Sequence, residues 1–167
     1  MRQLTLPSPV GPLTLVSNGQ ALVSVTFPGH TPAPRIQGTE GTDDVLALAA
    51  AELTAWFAGT RTTFTVPTAR TGTDFQMSVW AALDEIPFGA TTTYGALATA
   101  SGKPSAARAI GAAVGRNPLS IIVPCHRVVG MTGKLTGFAG GIDTKRWLLE
   151  HEQRQLGARA TQTRLPL

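Results

Sequence analysis

A chain of 167 residues, 43% of them hydrophobic, can bury a sizeable core as one compact unit or as two small domains. No run approaches the roughly eighteen consecutive apolar residues of a membrane span, and the opening Met1-Arg2-Gln3-Leu4-Thr5-Leu6-Pro7 lacks a signal peptide's apolar segment, so a cytoplasmic protein with no membrane partner is expected. The formal charge of +4 lies wholly in residues 74–167, where ten Lys and Arg face six acids, against four and four in residues 1–73; a polyanion such as nucleic acid suits that half, although many soluble domains carry as much charge.

The runs Leu4 to Leu6, Leu13 to Ser17 and Ala21 to Phe27 read as short strands. They are separated by Pro7-Ser8-Pro9-Val10-Gly11-Pro12 and by Asn18-Gly19-Gln20, a hairpin signal, and predict a small antiparallel sheet. The segment Asp43 to Ala58 carries a cap and apolar spacing (Val45, Leu46, Leu48, Ala49, Leu53, Trp56, Phe57) for one helix over that sheet, ended by Gly59. The Thr-rich stretch Thr60 to Thr73 reads as an edge strand plus linker. The domain boundary is placed there, giving residues 1–72 and 73–157, with a tail at 158–167.

Thr73 caps a helix through Asp84 with Phe75, Val79, Trp80 and Leu83 inward, and Ile86-Pro87-Phe88-Gly89 breaks it. Thr93 caps Tyr94 to Ala100, Ser101-Gly102-Lys103 turns, and Pro104 opens a second helix to about Gly115. Two short helices about a glycine-containing turn resemble a helix-turn-helix, although helical hairpins are common. On the second helix Arg108, Gly111, Ala112 and Gly115 share a nearly bare outer side. Glycine weakens a helix, so either a ligand approaches this backbone closely or another helix packs tightly on it.

The only cysteine lies in Ile122-Val123-Pro124-Cys125-His126-Arg127, read as strand-like. It is either a small buried hydrophobe or a nucleophile whose proton the neighbouring imidazole takes. Adjacent strand residues face opposite sides, so His126 serves Cys125 only through a kink or a bridging water. One cysteine makes no internal disulfide, the histidines His30, His126 and His151 offer no zinc spacing, and neither metal nor cofactor is expected. A last helix from Thr144 to about Leu156, capped by Asp143, places Glu152 in an apolar stripe with Leu148, Leu149 and Leu156. A carboxylate there either meets a partner, completing a Cys125, His126, Glu152 relay, or sits at a frayed end in water.

The blocks Arg108-Ala109-Ile110-Gly111, Arg116-Asn117-Pro118, Val123-Pro124-Cys125-His126-Arg127-Val128, Gly140-Gly141 and Lys145-Arg146-Trp147-Leu148-Leu149-Glu150-His151-Glu152 resemble the O6-alkylguanine-DNA alkyltransferases. The resemblance is strong from Thr73 to about Glu152 and looser before it. It implies an α/β (α+β) fold: a ribonuclease-H-like sheet with a helix, then a mainly helical, winged-helix-like domain with the helix-turn-helix. It implies repair of double-stranded DNA by a monomer entering the minor groove, with Cys125 keeping the alkyl group in one irreversible reaction.

Carried over residue by residue, His126 and Glu152 match the proton relay, and Tyr94 the donor to N3 of the departing guanine. Arg108 matches the finger that fills the gap of the flipped nucleotide, and Asn117 the link from recognition helix to active-site turn. Val114, Val128, Phe138 and the backbone at Ala139 match the base pocket, whose size should depend on Val114, Met131 and Phe138. Gly95, Lys103, Ala106, Ala107, Gly111 and Met131 match positions beside DNA. Phe138 stands where the family more usually has tyrosine, and the cysteines of the zinc site found in some relatives are missing. Two competing readings are a non-catalytic DNA-lesion binder and a Cys-His-Glu thiol hydrolase or acyltransferase.

Overall fold

The computed structural model describes residues 1–164, with side chains described through residue 160. Three strands form the expected meander: β1 (Arg2–Leu6), β2 (Leu13–Ser17) and β3 (Leu22–Thr26). The β2–β3 hairpin turns where the sequence says it must. Gly19 takes φ +91°, and Asn18 Oδ1 accepts from the amides of Gln20 and Ala21, each at 2.9 Å. A short β4 (Thr39–Glu40), not expected, pairs parallel with β1 and makes the order β3-β2-β1-β4.

α1 (Asp44–Phe57) is capped by Asp43, which accepts from Leu46 N at 2.8 Å, and buries Val45, Leu46, Ala49, Leu53 and Trp56. Leu48, assigned to that face, is 40% exposed, and Glu52 takes its place at 3%. Glu52 also explains why Thr60 to Thr73 is not the expected edge strand. Its carboxylate accepts from Thr65 N at 2.9 Å and Val66 N at 2.7 Å and pairs with Arg61, so these amides are used locally instead of in a ladder. Only a single bridge, Leu22 to Thr68, reaches the sheet.

β3 is the pivot of the molecule. Its outer edge holds the Pro67–Ala69 stretch (Leu22 N to Pro67 O, 2.8 Å) and then the loop beyond α4 (Val25 N to Pro118 O, 2.9 Å; Ser120 N to Val25 O, 3.2 Å). All five β3 residues are therefore buried. The buried residues of both halves form one continuous core, from Leu13 and Trp56 to Trp80, Ile110 and Leu148.

α2 (Asp74–Asp84) starts with a full capping box, Thr73 with Gln76, and Trp80 Nε1 donates to Ala113 O of α4 at 2.9 Å. β5 (Thr92–Thr93) leads into α3 (Tyr94–Ala100), and Thr93 caps the helix. One turn of 3-10 helix (Pro104–Ala106) then precedes α4 (Ala107–Gly115), which packs on α3. After a turn at Cys125–Arg127, β6 (Val128–Val129) pairs parallel with β5.

α5 (Ile142–Arg164) begins before the predicted Thr144 and does not use Asp143 as its cap, since that carboxylate accepts from Arg146 within the helix at 3.0 Å. It also runs past Leu156, so residues 158–164 are helix where a tail was expected. Residues 165–167 of that tail lie outside the described residues. Leu156 is 38% exposed, and the buried face of α5 carries Lys145, Leu148, His151 and Glu152 instead.

Candidate active site

The sequence Pro124-Cys125-His126-Arg127 is a turn where a strand was expected: Cys125–Arg127 form one turn of 3-10 helix. That removes the alternation problem. The thiol can line a pocket while the next two side chains point into the core. The loop before it is held by Asn117, whose Nδ2 donates to Val123 O at 2.9 Å and whose Oδ1 accepts from Leu119 N at 3.0 Å, spanning the loop with one buried amide. Inside that span Ile121 takes φ +72°, a left-handed conformation that costs a β-branched residue on the order of 1–2 kcal/mol. It persists because Val123 N to Leu119 O and Ile122 N to Ser120 O, both 2.9 Å, close the loop around it.

His126 and Arg127 meet Glu152 of α5 in a buried cluster. His126 Nε2 lies 2.7 Å from Glu152 Oε1; Arg127 donates through Nε at 3.0 and 3.1 Å and Nη2 at 2.8 Å; Gly89 N donates at 2.9 Å. Arg127 Nη1 goes on to Ile86 O at 2.7 Å, with its guanidinium over the Phe88 ring. Burial alone would raise the Glu152 carboxyl, but the bonds and charges of His126 and Arg127 outweigh it and bring its pKa down to about 2. Burial also lowers His126, against the opposing pull of Glu152. The imidazole is thus neutral near pH 7. Because a carboxylate only accepts, Nε2 carries the proton and Nδ1 keeps a lone pair. Nδ1 is buried and has no partner among the described residues.

Cys125 is 5% exposed. Burial pushes its thiol up, while the Asn117 side chain and the charge of Lys145 pull it down less strongly, so the resting sulfur is protonated. Lys145 is fully buried, and among the described residues it pairs with no carboxylate. Its Nζ is 3.5 Å from Thr136 O and 5.8 Å from the ring centres of both Tyr94 and Phe138.

The most spacious cavities lie elsewhere, and chemistry is what singles out the small one at Cys125. Its wall contains Tyr94, Val114, Asn117, Phe138 and Ala139, five of the residues assigned to the site, together with His30 and Ser120. Two residues assigned to the site lie outside this wall. Val128 is fully buried in β6 and does not line this pocket, because pairing with β5 draws it into the core. Met131 is 92% exposed at a turn closed by Gly130 N to Lys134 O and is not part of the wall.

The helix pair presents the residues assigned to DNA. Arg108, Gly95 and Lys103 are exposed, and Ala106, Ala107 and Gly111 half-buried. A side chain at Gly115 would meet nothing within 4 Å, and one at Gly111 only the Tyr94 ring at 3.7 Å. Tight helix packing therefore does not account for these glycines, and the close-approach alternative stands.

Sequence reasoning gave no role to Arg127, Lys145, Ser120 or His30. Lys145 had a usable signal, since positions 145, 148, 149 and 152 share one helix face. His30 had none: it reaches the pocket through a loop more than 90 residues distant in sequence.

Comparison with known proteins identifies the family. Residues 74–154 match the model of the 6-O-methylguanine DNA methyltransferase DNA-binding domain, and residues 1–69 that of its ribonuclease-like domain. The chain is 48% identical over 159 residues to the methylated-DNA–protein-cysteine methyltransferase of Mycobacterium tuberculosis (strain H37Rv), covering 94% of this chain and 95% of that one. It is 46% identical over 146 residues to that of Methanosarcina acetivorans, covering 87% and 94%. The crystal structure of Mycobacterium tuberculosis OGT in complex with DNA superposes with a TM-score of 0.86 at 47% identity, covering 93% of this chain and 94% of that one. By its sequence in both halves and by its fold, this chain belongs to the 6-O-methylguanine DNA methyltransferase family.

Proposed function

We propose that the protein repairs DNA directly, moving the alkyl group of O6-alkylguanine onto Cys125 in one irreversible transfer. The observation that carries this reading is a buried thiol in a pocket wall, followed by a buried imidazole whose Nε2 is held 2.7 Å from Glu152 and whose Nδ1 has no partner among the described residues. His126 Nδ1 takes the thiol proton through an intervening water. The sulfur attacks the alkyl carbon, the S–C bond forms as the C–O6 bond breaks, and the electron pair leaves on guanine. Tyr94, in the pocket wall, donates toward N3 of that guanine as charge develops. No step regenerates the thiol, so each molecule acts once.

The target atom lies inside the duplex stack, and the nucleotide must be extruded at a cost of a few kcal/mol. The exposed Arg108 on the bare face of α4 fills the space left behind. On this reading residues 73–157 bind DNA and react, residues 1–72 support them, and binding falls with salt. Among the described residues no helix is long and apolar enough to cross a membrane. We place the protein in the cytoplasm, where the free thiol of Cys125 stays reduced.

Incubation with a duplex containing O6-methylguanine, followed by weighing the Cys125 peptide, tests the reading. One added methyl group per molecule is expected. A lesion binder gives no adduct, and a thiol hydrolase turns over repeatedly on an ester or amide. Arg108→Ala is expected to slow repair of the duplex about 10- to 100-fold while leaving dealkylation of free O6-benzylguanine within about twofold, because only the duplex needs the gap filled. Equal slowing on both substrates would place Arg108 in the chemistry instead.

A further inference from the structure

The wall of the Cys125 pocket includes one group from the amino-terminal half, His30. The loop that carries it is tied to the pocket at several points. Thr31 N donates to Ala139 O at 2.9 Å, the Phe27 ring lies 5.5 Å from that of Phe138, and Gly140 leaves room for Phe27, whose ring a side chain there would strike at 2.4 Å. Within the loop, Gly29 takes φ +69° and His30 N donates to Phe27 O at 3.3 Å. The backbone at His30 is therefore tied to the pocket on both sides, by Phe27 before it and by Thr31 after it.

Four buried side-chain polar atoms lack a partner among the described residues, and of the four residues that carry them His30, through its Nδ1, is the one found in the pocket wall. An unmet imidazole nitrogen shielded from water costs free energy, which a ligand with a matching polar edge recovers. Asn117, by contrast, spends its amide on the loop and on the Cys125 thiol. Burial lowers His30 below its ordinary value, so the ring is neutral near pH 7 and can meet an uncharged heterocycle without burying a charge.

We propose that His30 is a substrate-positioning residue whose Nδ1 hydrogen-bonds the heteroatom edge of the extruded purine, so that the amino-terminal half contributes directly to base recognition. This rests on the repair reading above. The test compares His30→Phe, His30→Ala and His30→Asn in single-turnover transfer from an O6-methylguanine duplex, with binding of an undamaged duplex as the control. Asparagine places a polar atom near the position of Nδ1; phenylalanine keeps the ring and loses the nitrogen. Phe and Ala should slow transfer about tenfold, the value of one hydrogen bond to a neutral partner. Asn should stay within about threefold of the unaltered protein, and undamaged-duplex binding should not change. A wild-type rate in His30→Phe and His30→Ala overturns the proposal, as does an Asn variant as slow as Phe, which would make the residue packing only. Failure of the unaltered protein to methylate Cys125 would instead overturn the repair reading.

Discussion

Cys125→Ala protein is expected to bind an O6-methylguanine duplex as the unaltered protein does and to leave the methyl group on the base. The substitution removes only a sulfur. Cys125 is almost fully buried, and the loop around it is held by the Asn117 amide and by backbone bonds at Leu119, Ile122 and Val123, none of which involves the thiol. The cost in stability should be about 1 kcal/mol, the usual scale for trimming a small buried group. The effect on repair is total, because this is the only cysteine in the chain and no other group can keep the alkyl carbon as a thioether. Gel shift for binding and loss of labelled methyl from DNA for repair separate the two quantities. Continued removal of methyl by the alanine protein would show that another residue is the acceptor.

The second large effect is expected at Glu152, where stability and chemistry fall together. Its two oxygens accept from His126, Arg127 and Gly89 in the interior. Glu152→Gln removes the charge but not the buried guanidinium, and stranding one member of a buried ion pair costs about 3–5 kcal/mol. The amide also offers N–H groups to neighbours that are themselves donors. Thermal unfolding should show a large drop in midpoint, and transfer under conditions where the variant is folded should be slowed as well. The slowing has its own cause: the tautomer of His126 is no longer set, and Nδ1 is no longer assured its lone pair.

The same cluster sets the acid limit. Glu152 is lowered in the folded state from its ordinary value of 4.5 to about 2, so its contribution is complete above about pH 4.5 and is lost as pH falls toward 2. His126 is also lowered in the folded state, below 6.5, so the unfolded chain takes up its proton first and stability begins to decline as pH falls through that value. Chemical denaturation between pH 7 and pH 3 should show both stages, and Glu152→Gln should lose the lower one. An unchanged lower stage would place the acid-sensitive carboxyl elsewhere.

Much of the fold was legible because its signals are local. The Thr73 to Gln76 capping box, the Asp43 and Thr93 caps and the Asn18-Gly19 turn each depend on residues within a few positions. What escaped was set by distant partners. Glu52 claims the amides at 65 and 66 and prevents a strand; β5 claims β6 and removes Val128 from the pocket. Arg127 carries no local signal of its burial, which Glu152 and Ile86 impose from 25 and 41 residues away. The proposed relay of Cys125, His126 and Glu152 was readable mainly through its family pattern, since spacing alone left both Cys125 and Glu152 open to ordinary explanations.

The outer edge of β3 links the two sequence halves more tightly than their separate family matches suggest. Val25 offers its amide to Pro118 and its carbonyl to Ser120, on the loop that carries the chain toward Cys125. A chimera joining the first half of one relative to the second half of another would have to match that edge in register as well as fill the core. The two halves are therefore poor candidates for independent exchange: one is the bench on which the other's reactive loop is clamped, and a change of bench displaces the tool.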